Sequence, residues 1–248
     1  MNTTSAQVYN KINKQVIPKK YDVAFWKKLE KYVYYTCYDR EDSHGHGHMK
    51  QVAKNSLYLW YIMNFRVPNG RIPDEETFGT ILIAVAWLHD VADHKFDKSG
   101  ILKNDVRKFL TDNIPTYAEI IMELVDRISF SKQKAIEDLH GKINWNDLLG
   151  EEFALIRNIV SDSDKIEAIG YGGITRCLQY GHEVSKTKNK VEVINHLKEH
   201  AEQKLLKLHD HYILTNEGKK ISKLLHQEFC DILNNDDLLN EIYETSVA

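Results

Sequence analysis

The sequence predicts an all-α, single-domain bundle of many helices, and three observations predict it. Apolar residues recur at helical spacing along most of the 248 residues. The alternation of β-branched and polar residues that marks strands is nearly missing. The four prolines are Pro18, Pro68, Pro73 and Pro115, so the last 133 residues contain none. A proline inside a helix costs about 3 kcal/mol, and its absence permits long helices there. No internal repeat, low-complexity stretch or linker rich in Gly, Ser or Pro divides the chain.

The elements follow in order. Residues 1–20 are an N-terminal extension or helix, and residues 22–37 form a first core helix. Residues 48–65 place Val52, Leu59, Ile62 and Met63 on one apolar stripe. The turn-rich VPNGRIP, residues 67–73, comes next. Asp74, Glu75 and Glu76 then make an acidic first turn suited to a helix N-terminus. That helix is expected to run to about residue 92, with Phe78, Ile81, Leu82, Val85 and Leu88 on one face. Shorter helices are expected near 101–112 and 116–128. The stretch LHGKINWNDLLGE, around residues 138–150, looks like a lid loop. Helices over 151–168, 173–180 after a glycine break, and 190–208 follow. The last of these carries Val191, Ile194, Leu197, Ala201, Leu205 and Leu208 at spacings of three and four. Residues 216–243 read as one or two closing helices.

Composition excludes several classes. Hydrophobic residues are 42% and charged residues 28%, ordinary globular usage that argues against global disorder. A net charge of −3 argues against a wholly basic nucleic-acid coat or a polybasic membrane binder. The longest apolar run, Ile81 to Leu88, has eight residues, whereas a membrane span needs about 20. The N-terminus is polar and shows no signal-peptide core. Cys37, Cys177 and Cys230 are scattered and form no CxxC pair, so a reducing, cytoplasmic setting is expected.

Five of the 12 histidines fall between His44 and His94, and histidine is the commonest side-chain metal ligand. In AWLHDVADHKF, residues 86–96, His89 continues the apolar stripe four residues after Val85, and Asp90 is its neighbour. Adjacent imidazole and carboxylate can serve one cation from one rigid turn. The bland alternative is a core histidine bonded to a carbonyl, with Asp90 on the surface. In DSHGHGHMKQV, residues 42–52, His44, His46 and His48 alternate with Gly45 and Gly47 just before a helix. His48 lies four residues before Val52 and so faces inward; a solvated, histidine-rich turn is the alternative. In IVSDSDKIEAIGYGGITR, residues 159–176, Asp164 extends the Ile156–Val160 line and Asp162 extends the Leu155–Ile159 line. Periodicity does not choose between them. Both could equally be exposed, with Lys165 and Glu167 as further surface charge.

In the order His, His-Asp, Asp, these segments resemble the HD-domain superfamily of metal-dependent phosphohydrolases. SHGHGHMKQV is similar to its S-H-x-x-x-H-x-x-x-V opening, AWLHDVADHKF to its L-H-D block, and SDSDKIEAIGYGGITRCLQYG to its D-x-D-[RK] segment. NHLKEHAEQKLLKLHDHYILTNEGKKIS, residues 195–222, resembles the ending of a small soluble subgroup. The likeness covers roughly residues 25–235. It implies His48, His89, Asp90 and Asp164 as ligands of a divalent ion (Mn, Fe, Ni, Zn or Mg). It implies attack of a metal-bound water on a phosphate ester or anhydride, in a nucleotide or pyrophosphate-bearing small molecule. Asp93 or His94 would position or deprotonate that water, and Lys95 would meet substrate phosphate; a charged helix C-terminus is the plainer reading of these three. His44 would orient His48 or bind a second metal. The chain departs from the subgroup at Leu225-His226, where an Arg-His pair is usual, and in its Gly-His-Gly spacer between His44 and His48. Two other readings stay open: a di-iron oxygenase, for which His44, His46 and His94 could add ligands, and a silent nucleotide-binding helical module. No membrane and no stable nucleic-acid partner is expected, and a homodimer is compatible with the sequence.

Overall fold

The computed structural model describes residues 4–40, 44–64, 67, 70–185 and 189–247. Asp42 and Ser43 of the histidine-rich segment, Phe65 at the end of the expected 48–65 helix, and Pro68 and Asn69 of the turn lie outside the described residues. Among those described, thirteen α-helices and no strand are present. They are α1 Thr4–Lys14, α2 Val23–Thr36, α3 His46–Met63, α4 Glu75–Leu88, α5 Ile101–Asn113, α6 Ala118–Val125, α7 Phe130–His140, α8 Trp145–Leu149, α9 Glu151–Glu167, α10 Gly170–Val184, α11 Lys190–Gln203, α12 Asn216–Leu233 and α13 Asp236–Ser246. None is long and apolar enough to cross a membrane. Contacts divide the chain into two compact units, Val16–Ser163 and Met1–Gln15 with Asp164–Ala248.

In the Val16–Ser163 unit, α4 is the central helix and packs against α2, α3 and α6. The expected acidic start is right: Asp74 caps α4 by accepting from the Thr77 N–H at 2.7 Å. Every residue from Phe78 to Leu88 is buried, so α4 is enclosed on all sides rather than on the one face that periodicity suggested. Gly79 is required there, because a Cβ would run into the Lys20 carbonyl and the Trp60 ring. The start of α2 is fastened to the same helix. Asp22 caps α2, and its own N–H donates to Thr80 Oγ1 of α4 at 2.9 Å.

The stretch expected to be a lid loop is largely helical and pinned. Trp145 and Leu149 are buried, the Arg157 guanidinium lies 4.0 Å from the Trp145 ring centroid, and Arg71 donates to the Leu149 carbonyl. Arg157 reaches back from the second turn of the following helix α9, whereas Arg71 comes from far upstream in the chain.

In the other unit, α10 packs against α1, α11, α12 and α13. Glu228 of α12 closes two helix starts at once. Its carboxylate accepts from the Ser5 N–H at 3.1 Å and from the Tyr171 N–H at 3.0 Å, satisfying first-turn donors of α1 and α10. Gly170 takes φ +73 at this junction, and a Cβ there would meet Ser5 Oγ and Glu228. That capping starts α10 three residues before the expected 173. Helix α11 ends at Gln203, earlier than expected, and passes into 3₁₀ and π turns over 205–212. Val191 is exposed and Val193 takes the buried place. The departing Leu225 is fully buried, and His226 stacks on His209 with ring centroids 5.4 Å apart.

Candidate metal centre

His48 sits in the first turn of α3, after the Gly45 cap, and is buried. His89 is the residue that ends α4. Its Nδ1 lies 2.8 Å from the Ala86 carbonyl. A carbonyl only accepts, so Nδ1 carries the hydrogen and Nε2 of the neutral ring carries the lone pair. That Nε2 is 3.2 Å from His48 Nε2, and Asp90 Oδ2 is 3.7 Å from each of them. The packing of α3 on α4 thus brings together ligand atoms that are 41 residues apart in the chain.

The three atoms fit a metal ion. A point in their plane and equidistant from them lies about 2.1 Å from each, within the range of about 2.0–2.2 Å for zinc–nitrogen and zinc–oxygen bonds. The side chains of His48, His89 and Asp90 are 2%, 1% and 16% exposed, and a carboxylate so placed is expensive unless it is paired or ligating. Two imidazoles and a carboxylate suit a first-row divalent ion, and the Ala86 carbonyl supplies the outer hydrogen bond that orients such a histidine. Among the described residues no other group of three or more His, Cys, Asp or Glu side chains converges in this way.

Helix α4 stops at Leu88, four residues short of the expected end. The turn that follows is held by Arg40, which the sequence motifs did not single out. Its Nη1 and Nη2 donate to the carbonyls of Asp90 and Val91 at 2.9 and 2.6 Å. These satisfy two carbonyls of the turn that follows the helix, and a cation near a helix C-terminus is favourable. The guanidinium also lies 4.1 Å from the Phe96 ring centroid. Arg40 acts on main chain 50 residues away, so no side-chain motif could have signalled it.

Asp93, His94 and Lys95 therefore lie in turns after the helix rather than on its next turn. Asp93 N–H donates to the Asp90 carbonyl at 3.2 Å. Asp93 Oδ1 accepts from Lys95 N–H at 3.0 Å and lies 3.2 Å from His94 Nδ1. The His94 side chain is 75% exposed and that of Asp93 is 14% exposed. Lys95 Nζ stands 3.5 Å from His44 Nε2, and the His44 ring packs against Phe96. His46 packs between Tyr34 and Trp87, with centroids 5.5 and 5.4 Å away. Its Nε2 is buried without a hydrogen bond, with Glu30 Oε1 4.0 Å away. Burial, helped by Lys50, draws its pKa below the usual histidine value. Cys37 offers no thiolate nearby, since burial pushes its pKa up to about 11.

The D-x-D pair is not surface charge. Asp162 is fully buried, Lys165 is buried, and Asp164 and Glu167 are half-buried. All five residues from Ile159 to Ser163 are fully buried, which is why helical period could not choose between the two aspartates. The charge of Asp162, with that of Glu137, favours the protonated form of the buried Arg157. Asp164 lies on the last part of α9, within the unit that contains α10 to α13.

Neither a family model nor a curated protein matches the sequence, but solved structures do. YpgQ of Bacillus subtilis is 16% identical, with a TM-score of 0.58 over 89% of this chain and 96% of that one. The structure of YpgQ in complex with ADP is matched at 18% identity and a TM-score of 0.58, over 88% and 97%. A protein from Lactobacillus plantarum is 19% identical, with a TM-score of 0.62 over 86% and 94%. A Bacillus thuringiensis chain described as an HD-superfamily hydrolase is 20% identical, with a TM-score of 0.47 over 84% and 93%. The chain has the all-α fold of YpgQ and the Lactobacillus protein, and its His48 and His89-Asp90 motifs form one His-His-Asp cluster.

Proposed function

We propose that the protein is a divalent-metal-dependent hydrolase of phosphate esters or anhydrides that acts on a nucleotide or a pyrophosphate-bearing small molecule. The observation that carries this reading is the convergence of His48 Nε2, His89 Nε2 and Asp90 Oδ2 within 3.7 Å, with His89 held in the ligating tautomer. A divalent ion held there lowers the pKa of water and neutralises phosphate charge. Asp164 enters the ligand set through its D-x-D-K motif. The ADP complex of the similarly folded YpgQ supports a nucleotide substrate.

The residues after the helix take the remaining roles. Asp93 Oδ1 is engaged by the Lys95 N–H, so Oδ2 is the atom that orients the attacking water and takes its proton. His94 Nδ1, beside Asp93, is the next proton acceptor. Lys95 offers its ammonium to a phosphate oxygen as a point charge. The test is a metal-supplemented hydrolysis screen of nucleoside mono- and triphosphates, pyrophosphate and cyclic dinucleotides. Metal-dependent product release that His89→Ala abolishes is expected. No release from any of these compounds, with any of the five metals, would overturn the reading. Metal analysis addresses the oxygenase alternative, since two irons per chain with an oxidised absorption band would replace the hydrolase.

A further inference from the structure

A second set of metal-ligating side chains lies in the unit that contains α10 to α13, where the turns over 208–212 pack against α12. His226 and Cys230 stand one helical turn apart on α12, with Nε2 3.6 Å from Sγ. Zinc–nitrogen bonds of about 2.0–2.1 Å and zinc–sulfur bonds of about 2.3 Å, set at the tetrahedral angle, separate the two ligand atoms by about 3.5–3.6 Å. The pair is already at the spacing of two ligands of a tetrahedral ion. A thiol hydrogen-bonded to an imidazole gives the same distance, and what surrounds the pair favours an ion.

The His226 ring is stacked on that of His209, with centroids 5.4 Å apart and 28° between the planes. His209 is oriented as a metal-ligating histidine is. Its Nδ1 lies 2.8 Å from Ser222 Oγ, and that hydroxyl donates to the Lys219 carbonyl at 3.3 Å. The one hydroxyl hydrogen is thereby spent, so Nδ1 is the donor and Nε2 of the neutral ring carries the lone pair. That Nε2 is 3.8 Å from Asp210 Oδ1, nearly the 3.7 Å between Asp90 and each histidine of the first centre. The stacked rings thus join two ligand pairs, one of nitrogen and sulfur, the other of nitrogen and oxygen. The Asp210 carboxylate bears electrostatically on both His226 and Cys230. His226 Nδ1 is buried without a hydrogen-bond partner, so the ring can turn without breaking a bond there.

We propose that His226 and Cys230 of α12, with His209 and Asp210 of the adjoining turns, bind a thiophilic divalent ion such as Zn²⁺. The sulfur makes this site softer than the His-His-Asp centre. Burial, with Asp231 and Asp210, pushes the Cys230 pKa above its usual value, so the sulfur is a neutral thiol until an ion takes it. Ligation forms the metal–sulfur bond and releases the thiol proton to water. The two pairs do not converge as His48, His89 and Asp90 do, and the ion has to draw them together. Its binding is therefore exchangeable, and desalting removes it. While bound, it staples the turns over 208–212 to α12.

The test is a titration of the full chain with Co²⁺, followed by thiolate-to-cobalt charge-transfer absorption. The His-His-Asp centre has no sulfur and is silent in that band. The band is expected in wild type and in His89→Ala, absent in Cys230→Ser, and bleached by added Zn²⁺. His209→Ala and His226→Ala are each expected to weaken Co²⁺ binding by at least about tenfold, the lower end of what losing an outer-shell partner costs a metal site. No band at saturating Co²⁺, a band that survives Cys230→Ser, or a band indifferent to both histidine variants would overturn the proposal. A measurement on the unaltered chain guards against variants that fail to fold. Zn²⁺ should slow alkylation of Cys230 at least tenfold, read by mass spectrometry of its peptide, and an unchanged rate would equally overturn the site.

Discussion

Arg157 is fully buried on α9, and each of its guanidinium nitrogens meets an acceptor. Nε donates to the Arg127 carbonyl at 2.9 Å, Nη1 to Asn158 Oδ1 at 3.2 Å and Nη2 to Gln133 Oε1 at 2.7 Å. Burial draws its pKa down to about 10, with Asp162 and Glu137 opposing, so the group stays charged at neutral pH. In the same unit, His48 and His89 are buried and the Asp90 side chain is 16% exposed, and there three side chains of metal-ligand type converge. Two imidazole Nε2 atoms and a carboxylate oxygen point at one another within 3.7 Å, and His89 has its only N–H committed to Ala86. Donors matched to acceptors make a closed structural network. Two imidazoles and a carboxylate whose ligand atoms converge make a cation site. Burial of polar groups marks both clusters; the kind of side chain that converges separates them.

The largest expected effect is at the His-His-Asp cluster. His89→Ala and Asp90→Ala should abolish metal retention and activity while circular dichroism stays helical, as read by elemental analysis of purified protein. Full activity in either variant under metal-limited conditions would remove the distinction between the clusters. The two aspartates of the D-x-D pair sharpen it. Asp164→Asn should lose metal, whereas Asp162→Asn should keep it and melt earlier, because the Asp162 charge favours the protonated form of the buried Arg157; the reverse result would exchange their roles.

Next comes the base. Asp93→Asn should lower kcat by about 10²–10⁴ with metal content near wild type. Loss of metal instead would make Asp93 a ligand and enlarge the cluster.

At the closed network, Arg157→Met should destabilise the fold by about 3–5 kcal/mol, since it leaves buried acceptors and Asp162 unanswered. Urea denaturation reads this, and the folded fraction should bind metal normally. A variant as stable as wild type would show that the network is dispensable.

The smallest effect is expected at Arg40. Arg40→Ala should weaken metal affinity by about 10–100-fold, as the loss of an outer-shell orienting group does, and Arg40→Lys should recover only part of it, lacking the fork that reaches two carbonyls. Competition with a chelator measures both. Unchanged affinity would confine Arg40 to the loop.

Much of this was legible in the sequence for local reasons. Caps and apolar spacing act over three or four residues, so the starts of α2 and α4, the helical character of α9 and α12, and the His48 and His89-Asp90 motifs could be read directly. α8 could not, because Leu149 is held by Arg71 from far upstream in the chain and Trp145 by Arg157 of the next helix. The turn that follows α4 is held by a guanidinium that binds main-chain carbonyls 50 residues away, and carbonyls carry no sequence signature. The choice between Asp162 and Asp164 was invisible because α9 is buried on every side between Ile159 and Ser163, which erases the periodic signal.

The sequence by itself determined that the chain is helical and which histidines and aspartates could ligate a metal, because helix formation and motif spacing are short-range properties. Only the tertiary structure decided that His48 and His89 meet at 3.2 Å, that Ala86 fixes the tautomer, and that Asp162 and Arg157 are both fully buried. Those outcomes depend on how α3 packs on α4 and how α9 is enclosed. Packing is set by contacts between segments far apart in the chain, and no local pattern records it.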